Sequence, residues 1–493
     1  MLSKILANGY FPAELPPCFT TACYSKALVT AAALPAGFVH PKTAQLCNFS
    51  LARAGNARFR RRLSLVNPVN FYHLAKLVAD NWLMLSQHMN ASMLSKSCAV
   101  YRPNGDRALS PISYSPRNLV GVRVKNRSTA KVLLVADISE FYHSIYTHSI
   151  AWALHTKAHA KANQQAPILG NQLDRAVQCA QDKQTIGIPI GPDTSLVIAE
   201  LILAAVENKI QARIPKLAGL RFMDDFELCF ADHAAAEQAL AIMQEELLQF
   251  ELRLNPRKTA LLAPPINLEP EWISELRRFE IRNNSGQRGD LIAYFDMMTR
   301  FLHAYPNEHV SKYGLRRFKA FKPNPINLEI LQSMLCHTGV AEPGSIREVV
   351  EALIFLRSAK FKLDAQIVGE TLSAVLKSST PLGHHYEASW ALWGALQFGT
   401  ALDQDVATAL SSTDNSVVAI LALDAASRGL VSNLDVNRWQ SRMTPQDLRE
   451  EEWLLSYEAN VHGWLPTVGG GDHVAPDGEF GLLKSRQVRF YVP

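Results

Sequence analysis

The feature that most restricts the fold is a period-two pattern around two adjacent acids, Asp224 and Asp225. Apolar residues of one parity flank this pair on both sides, namely Leu220, Phe222, Phe226, Leu228 and Phe230. Because a strand points alternate side chains to the same face, the pattern predicts a β-hairpin whose turn carries two carboxylates. The chain must therefore contain a sheet that buries one face of this hairpin and leaves its tip accessible.

A second acidic position follows a short apolar run, KVLLVA at residues 131–136. A run of this length with polar residues before it predicts a strand that is buried on both faces and ends at Asp137. Asp137, Asp224 and Asp225, the carboxylate triad, thus stand at the ends of two β-elements. Two Mg²⁺ ions about 3.5–4 Å apart on such hard oxygen ligands can activate a hydroxyl and neutralise a leaving pyrophosphate, and Mn²⁺ can replace them. The triad therefore predicts phosphoryl transfer, although aspartates in a turn can also serve only as turn formers.

The charge of the chain is unevenly distributed along its 493 residues. Residues 1–150 hold 17 Lys/Arg against 5 Asp/Glu, a net charge of +12, whereas residues 321–493 hold 13 against 20, a net charge of −7. Lys and Arg that neutralise phosphates supply most sequence-independent affinity for nucleic acid. The N-terminal third is therefore the predicted contact for a polyanion, and a solvated basic face is the alternative.

The cysteines and the apolar segments indicate where the protein acts. The seven cysteines are odd in number and scattered, without the spacing of a zinc site or a disulfide framework. The N-terminus reaches Pro12 too soon for a signal peptide, and the most apolar stretch, LVIAELILAAV, is interrupted by Glu200. We expect a cytoplasmic protein without membrane association.

The remaining pattern predicts an α+β region followed by an all-α region. Residues 1–50 show no clear period and predict an irregular arm, and residues 56–68 predict a basic strand with a helix after it at about 71–85. A capped helix is predicted to begin near Asp193, another helix at 234–250, and a short strand at ELRL, residues 251–254. Beyond about residue 290 helical periods recur at 346–356, 366–376, 386–397, 405–410 and 417–426. Stacked helical pairs of a HEAT-like kind are predicted, with an irregular bundle as the alternative and residues 468–481 as a loop.

Four segments occur in an order that resembles reverse transcriptases over roughly residues 50–280. They are VADISEFYHSIY (135–146), QTIGIPIGPDTS (184–195), FMDD (222–225) and LNPRKT (254–259). The resemblance implies a right-hand polymerase with an arm at 1–50, fingers at 51–130, a palm at 131–265 and a helical thumb and C-terminal domain at 266–493. The sequence departs from the family in two places: Phe222 replaces the usual tyrosine, and Ile190 replaces the usual glutamine of a Pro-Gln-Gly loop. The second departure affects how a templating base would be contacted.

A narrower resemblance is to the bacterial antiviral reverse transcriptases, also called abortive-infection or defence-associated reverse transcriptases. It lies in GYFPAELPPCFTT (9–21), IYTHSIAWALH (145–155), IGPDTS (190–195) and the helical C-terminal region, and it is greatest for the second polymerase of type 3 two-polymerase defence systems. This implies antiviral DNA synthesis from dNTPs, binding of RNA and/or DNA, a non-coding RNA, and an oligomer or a hetero-complex with a partner polymerase.

The resemblance also implies a role for each site residue. Asp137 and Asp224 would bridge two metal ions and Asp225 would complete the acidic cluster. The backbone amides of Ile138, Ser139, Glu140 and Phe141 would face the triphosphate. Tyr142 would exclude a ribose 2′-hydroxyl, which makes deoxynucleotides the expected substrate, unless its ring is only a packing residue.

Three further positions are expected at the site. Gly191 would let the backbone approach the nucleotide, and a simple turn glycine is the alternative. Lys258 would donate a proton or positive charge to the departing pyrophosphate, and a solvated lysine is the alternative. From the basic strand, which also carries Arg58 and Arg61, we expect Arg60 and Arg62 to touch the triphosphate or the template.

Two other functions remain open at this point. The replacement at Ile190 also suits a polymerase that needs no nucleic-acid template. A non-catalytic scaffold that binds RNA or a partner polymerase is the third hypothesis, but three converging charges have no purpose in an inactive palm.

Overall fold

The structure is a computed structural model that describes residues 1–53, 56–112 and 116–493, without the side chains of residues 53, 56–58, 116 and 117. Its N-terminal part combines helices with two small antiparallel sheets. The elements are α1 (Leu2–Asn8), α2 (Ala22–Val29), β1 (Cys47–Arg53), β2 (Asn56–Leu65), α3 (Pro68–Asp80), α4 (Trp82–Asn90), β3 (Ala99–Tyr101), β4 (Leu109–Pro111) and α5 (Pro116–Arg127). The basic strand is confirmed as β2. The expected irregular arm contains two short helices, and the helix expected at 71–85 is divided at Asn81.

The middle of the chain carries the largest sheet. Its elements are β5 (Val132–Asp137), α6 (Phe141–Ser144), α7 (Ser149–His155), α8 (Lys157–Ala162), α9 (Leu169–Cys179), α10 (Asp193–Arg213), β6 (Ala218–Phe222), β7 (Asp225–Phe230), α11 (His233–Gln249) and β8 (Ala260–Leu262). The strand order is β6–β7–β5–β8, all antiparallel. Strand β5 lies between β7 and β8, which explains why Leu133 and Leu134 are fully buried. The predicted hairpin and the predicted central strand are both confirmed.

The prediction of a strand at ELRL, residues 251–254, is wrong. Glu251 has a left-handed backbone (φ 64°), which ends any extended run there, and only Leu254 forms an isolated bridge, to Ile138. The fourth strand, β8, forms after Lys258 instead and pairs with β5. A periodic apolar pattern of four residues is too short to distinguish a strand from the turn that follows a helix.

The rest of the chain is helical. Its elements are α12 (Glu271–Arg278), α13 (Gln287–Ala304), α14 (Val310–Leu315), α15 (Leu328–Ala341), α16 (Ile346–Ser358), α17 (Ala365–Ser379), α18 (His385–Phe398), α19 (Gln404–Ser411), α20 (Ser416–Ser427), α21 (Asn437–Gln440), α22 (Trp453–His462) and α23 (Gly478–Ser485). Short 3-10 helices lie at Ala36–Phe38, Arg316–Ala320, Pro325–Asn327, Pro343–Ser345, Thr380–Leu382 and Asp447–Arg449. The five predicted helical segments coincide with α16 to α20, whereas α23 begins inside the predicted loop 468–481.

The C-terminal helices pack in two layers. Helix α17 packs against α15 and α19, and α18 packs against α16 and α20, with α22 following on α20. This region also covers the β1–β2 hairpin: α18 packs on β1, and the Trp453 indole N–H donates to the carbonyl of Leu65 (3.3 Å). The end of the chain returns to its beginning, where the amide of Thr20 donates to Phe490 O (2.9 Å) and that of Val492 to Cys18 O (2.8 Å). Across the described ranges, no helix is both long and apolar enough to cross a membrane.

Candidate active site

Asp137 stands at the C-terminal end of β5, the strand whose apolar residues are buried between two neighbours. Its side chain is 8% exposed. Its Oδ2 accepts from the Lys258 ammonium (2.8 Å) and its Oδ1 from the Asn255 amide group (3.1 Å). The backbone amide of Asn255 also donates to the Asp137 carbonyl (2.7 Å). The segment after α11 thus fixes both the backbone and the carboxylate of Asp137.

The other two carboxylates come from the tight turn between β6 and β7. Phe222 pairs with Asp225 across the hairpin, so Met223 and Asp224 form the turn, and Met223 has a left-handed backbone (φ 53°). Asp225 is in turn the register partner of Asp137 on β5. The antiparallel sheet therefore brings the carboxylate triad to one end of two neighbouring strands, as the sequence predicts.

The charges of the triad act on one another. Desolvation, then the charges of Asp224 and Asp137, raises the pKa of Asp225 to about 6. Desolvation and the charge of Asp137 also raise the pKa of Asp224, although Lys258 and Arg61 oppose the rise. Partial burial acts to lower the pKa of Lys258, but the hydrogen bond and charge of Asp137 raise it. Three carboxylates against one close ammonium leave an excess of negative charge, which favours a cation.

The donor chemistry of the triad fits hard divalent cations, which prefer carboxylate oxygens. Within the part of the chain that the structure describes, however, no three His, Cys, Asp or Glu side chains are grouped so that they would hold a metal ion. The Lys258 ammonium instead lies against Asp137 Oδ2. Metal binding would require the ammonium to leave that oxygen.

The family comparison decides the class of this site. Residues 84–279, which include the triad and Lys258, match the family described as reverse transcriptase (RNA-dependent DNA polymerase). The chain contains a reverse transcriptase domain. It is accordingly an RNA-directed DNA polymerase, a nucleotidyltransferase, by its domain.

Other comparisons add little to the reverse transcriptase assignment. No curated protein matches the chain. Among solved structures, the apo telomerase from Candida tropicalis is 9% identical, with a TM-score of 0.34 over 87% of this chain and 76% of the telomerase. The telomerase from Candida albicans, solved with a fragment of telomeric RNA, is 10% identical, with a TM-score of 0.31 over 79% and 67%. TM-scores this low do not define a shared fold.

In the reverse transcriptase domain, the segment after Asp137 differs from expectation in one respect. The amide of Ser139 donates to the carbonyl of Arg253 (2.9 Å), so it is engaged inside the domain rather than directed at a triphosphate. Ile138 is buried and bridges to Leu254. Glu140 is left-handed (φ 46°) and precedes α6, while the side chain of Phe141 is buried. The expected row of four amides facing the nucleotide is therefore wrong at Ser139.

Tyr142 lies beside the triad. Its side chain is half-buried against Phe141, and desolvation followed by the charges of Glu200 and Asp224 raises its pKa. Its carbonyl accepts from the amide of Ile188 (2.9 Å), which connects it to the Gly/Pro loop. The position is compatible with contact to a nucleotide sugar, and the selectivity role remains a prediction.

Gly191 has a conformation (φ 133°) that favours glycine, but its neighbour is unexpected. A Cβ at this position would lie 2.5 Å from Cγ of Pro12 in the N-terminal arm. The amide of Asp193 also donates to Gly9 O (2.8 Å), and Arg107 donates to both Gly191 O (2.9 Å) and Phe11 O (2.6 Å). The group that approaches Gly191 closely is thus Pro12 of the arm. The glycine accommodates the arm rather than a nucleotide.

The arginines of β2 separate by face. Arg60 binds Glu387 of α18 through two hydrogen bonds (3.0 and 2.5 Å), in an ion pair where Glu387 is 1% exposed. Arg61 is exposed, and its charge opposes the rise in the pKa of Asp224. Arg62 is exposed and lines a cavity of about 430 Å³ with Gly187 and Ile188. The side chain of Arg58 lies outside the described residues. The expected substrate contact of Arg60 is therefore replaced by a structural ion pair, and Arg61 is the arginine beside the triad.

Sequence reasoning missed two groups of residues near the triad. Glu308 and His309, before α14, interact with charged neighbours of the triad: burial raises the pKa of Glu308 against the opposing charge of Lys258, while burial, Lys312 and Arg61 hold the pKa of His309 at about 4. A second group, behind the hairpin turn, comprises Arg221, Glu200, Glu207 and Ser97. A signal for it existed, because Glu200 and Glu207, seven residues apart and hence on one face of a helix, are the two acids within the apolar stretch 196–207.

Proposed function

We propose that this chain synthesises DNA by adding deoxynucleotides to a 3′-hydroxyl with two divalent ions. The observation that carries the proposal is the convergence of Asp137, Asp224 and Asp225 at adjacent strand ends inside the matched domain. The crowding of their charges supports a cation there. Reverse transcriptase domains generally use Mg²⁺, and we expect Mn²⁺ to substitute.

The chemistry follows from the groups at hand. The triad would hold the ions, which when bound supply charge neutralisation at the attacking hydroxyl and the pyrophosphate. The oxygen of the 3′-hydroxyl attacks the α-phosphorus, the bond to pyrophosphate breaks, and the hydroxyl proton passes to water. Lys258, once released from Asp137, would give a proton to the departing pyrophosphate, and its raised pKa keeps it protonated until then. Tyr142 would exclude the ribose 2′-hydroxyl.

The architecture supports a right-hand polymerase with an arm at 1–50, fingers at 51–130, a palm at 131–265 and a helical thumb and C-terminal domain at 266–493. The four-stranded sheet that carries the triad corresponds to the palm. The two-layer packing of α15 to α22 supports a HEAT-like arrangement.

The partners proposed are dNTPs, RNA and/or DNA, a non-coding RNA and a partner polymerase or second copy of the chain. The net charge of +12 in residues 1–150 supports nucleic-acid binding there, and Arg61 and Arg62 are exposed on that surface. Antiviral defence in a bacterium is supported by the sequence resemblance alone. All seven cysteines are free, which supports a reducing compartment such as the cytoplasm.

One observation favours template-independent synthesis as a second candidate. The loop that resembles the template-handling loop carries Ile190 in place of glutamine, and Pro12 packs on the adjacent Gly191. If this loop receives the template in relatives, the arm limits access to it here. A template would then have to pass the arm to reach this loop.

The test is synthesis by purified protein with Mg²⁺ and all four dNTPs, with and without added RNA, followed by sequencing of the product. Product complementary to the added RNA supports templated copying, whereas product of constant composition without RNA supports the second candidate. Asp224→Asn is the matched control for contaminating polymerases. The absence of product under all conditions, with RNA still bound, would leave the scaffold as the function.

A further inference from the structure

Arg221 is a fully buried arginine two residues before the catalytic turn. Its guanidinium makes a bidentate ion pair with Glu200 (both hydrogen bonds 2.9 Å) and a second ion pair with Glu207. The three side chains are 0%, 1% and 2% exposed. Glu200 and Glu207 lie seven residues apart and hence on one face of α10, which packs behind the hairpin. The cluster contains two carboxylates for one guanidinium.

Three serine hydroxyls complete this cluster. Ser95 and Ser97 donate to the two oxygens of Glu200 (2.7 Å each), and Ser92 donates to Glu207. Burial alone would raise the pKa of Glu200, but Arg221 and the serines bring it below its usual value. The segment of these serines also pairs with the strand, since Arg221 N–H donates to Leu94 O (2.9 Å). The Glu200 carboxylate is therefore ionised, and its hydrogen bonds fix its orientation.

Two hydrogen bonds connect the cluster to the turn. Arg221 donates to the carbonyl of Met223 (2.8 Å), and the amide of Met223 donates to Ser97 Oγ (2.7 Å). Both peptide groups of Met223 are thus held, and Met223 is the left-handed residue that directs the chain into Asp224. The guanidinium suits this task because its rigid fork fixes several acceptors in one plane.

We propose that Arg221, Glu200, Glu207 and Ser97 are positioning residues that set the orientation of Asp224 for metal binding. The inference rests on the proposed two-metal function. Stability alone does not account for the cluster, because well-packed apolar residues often replace buried ion pairs without loss. Directional hydrogen bonds to a catalytic turn have no apolar substitute. Outer groups that orient a metal ligand commonly change metal affinity or activity by about tenfold or more when removed.

The decisive variant is Ser97→Ala, compared with Ser456→Ala. Both serines are fully buried. The hydroxyl of Ser456 forms a hydrogen bond with His473 (2.9 Å), in the C-terminal region and outside the Arg221 cluster. Ser97→Ala removes the acceptor for the Met223 amide without removing a charge. A second pair compares Arg221→Lys with Arg449→Lys, because Arg449 also bridges two carboxylates, Asp477 and Glu479, in the C-terminal region.

Four quantities are measured: the melting temperature, Mn²⁺ binding to the free protein by electron paramagnetic resonance, kcat, and KM for dNTP. We expect Ser97→Ala and Arg221→Lys to weaken Mn²⁺ binding and lower kcat by about tenfold, with KM for dNTP nearly unchanged. We expect the two controls to lower only the melting temperature. Equal Mn²⁺ affinity and kcat in Ser97→Ala and wild type would overturn the inference. Wild-type protein that binds Mn²⁺ through the triad but makes no product would overturn the proposed function instead.

Discussion

At the active site, the pKa values of single residues depend on burial and on like and opposite charges that lie close together. Asp137 is paired with Lys258, while Asp224 and Asp225 have raised pKa values because desolvation and neighbouring carboxylates disfavour their charged forms. In the absence of metal, each of these two charges is a cost to the folded protein. A substitution that removes one therefore has opposite effects on catalysis and on folding.

Asp224→Asn is expected to abolish nucleotide incorporation and to leave the metal-free melting temperature unchanged or about 1–3 °C higher. The amide removes a metal ligand but also removes repulsion of Asp137 and Asp225. Primer extension and thermal melts without metal measure the two effects. Incorporation above a few per cent of wild type would falsify the two-metal assignment.

The pH dependence of metal stabilisation follows from Asp225. Its folded pKa of about 6 lies above its ordinary value, so its contribution to stability is complete at low pH and is lost as pH rises through 6. Mg²⁺ needs the ionised carboxylate, so the gain in melting temperature on adding Mg²⁺ should be larger at pH 8 than at pH 5.5. Asp225→Asn should reduce this gain and its pH dependence. An equal gain at both pH values in the wild type contradicts the prediction.

Tyr142→Ala is expected to admit ribonucleotides, because the ring beside Asp224 would no longer meet a 2′-hydroxyl. The measurement is the ratio of kcat/KM for rNTP to that for dNTP, which should rise at least about tenfold. Tyr146→Ala, which removes another partly buried tyrosine of the same segment, is the control and should leave the ratio unchanged. A constant ratio in Tyr142→Ala would make this ring a packing residue.

At the scale of elements, the alternation of β2 assigns its arginines to different tasks. Arg60 faces α18 and pairs with the buried Glu387, whereas Arg61 is exposed on the side of the triad. A strand sends neighbouring side chains to opposite faces, so one basic run contributes both to stability and to the polyanion surface.

Arg60→Ala should therefore destabilise the fold by roughly 3–5 kcal/mol, because Glu387 would remain buried without its arginine. Arg61→Ala should change stability by less than about 0.5 kcal/mol and should reduce the slope of log K against log salt for RNA or DNA by about 1. Denaturant unfolding and salt titrations measure the two. The assignment is wrong if the two variants exchange these phenotypes.

The same strand shows what the sequence could predict. Period-two patterns identified β2 and the β6–β7 hairpin, a short continuous apolar run identified β5, and helical periods identified α10, α11 and α16 to α20, because such burial patterns are local properties of the sequence. The partner of Arg60 could not be predicted, because Glu387 is 327 residues away and only the packing of α18 brings it there. The contact of Pro12 with Gly191 could not be predicted either, because nothing in the sequence distinguishes Pro12 from the other residues of the 50-residue arm as the neighbour of Gly191. The positions of the carboxylates could be predicted, because Asp137 ends β5 and Asp224 and Asp225 lie in the hairpin turn and at the start of β7, and both elements have local sequence patterns.

At the scale of the whole molecule, the two ends of the chain form one core with the basic hairpin. Phe490 is fully buried, and its ring lies within 6.3 Å of five other rings, measured between centroids: Tyr10, Phe11, Tyr24, Trp453 and Tyr457. The arm that these rings hold continues directly to Pro12 and the loop of Gly191. The C-terminal region is thus part of the structure that positions the arm and is more than an appended module.

Phe490→Ala is expected to lower the free energy of unfolding by about 3–5 kcal/mol, because it leaves a cavity among aromatic rings. The arm should become the first site of limited proteolysis, since Phe490 packs on Tyr10 and Phe11 and its carbonyl accepts from Thr20. Val492→Ala is the control, because Val492 is 47% exposed and its backbone hydrogen bond to Cys18 is retained. Denaturant unfolding and mass spectrometry of the proteolytic fragments measure the effects. If the arm limits template access, Phe490→Ala should also increase copying of an added RNA relative to synthesis without RNA. If Phe490→Ala has wild-type stability, or if the protease cuts another segment of this variant earlier than it cuts the arm, the two ends of the chain are not coupled in this way.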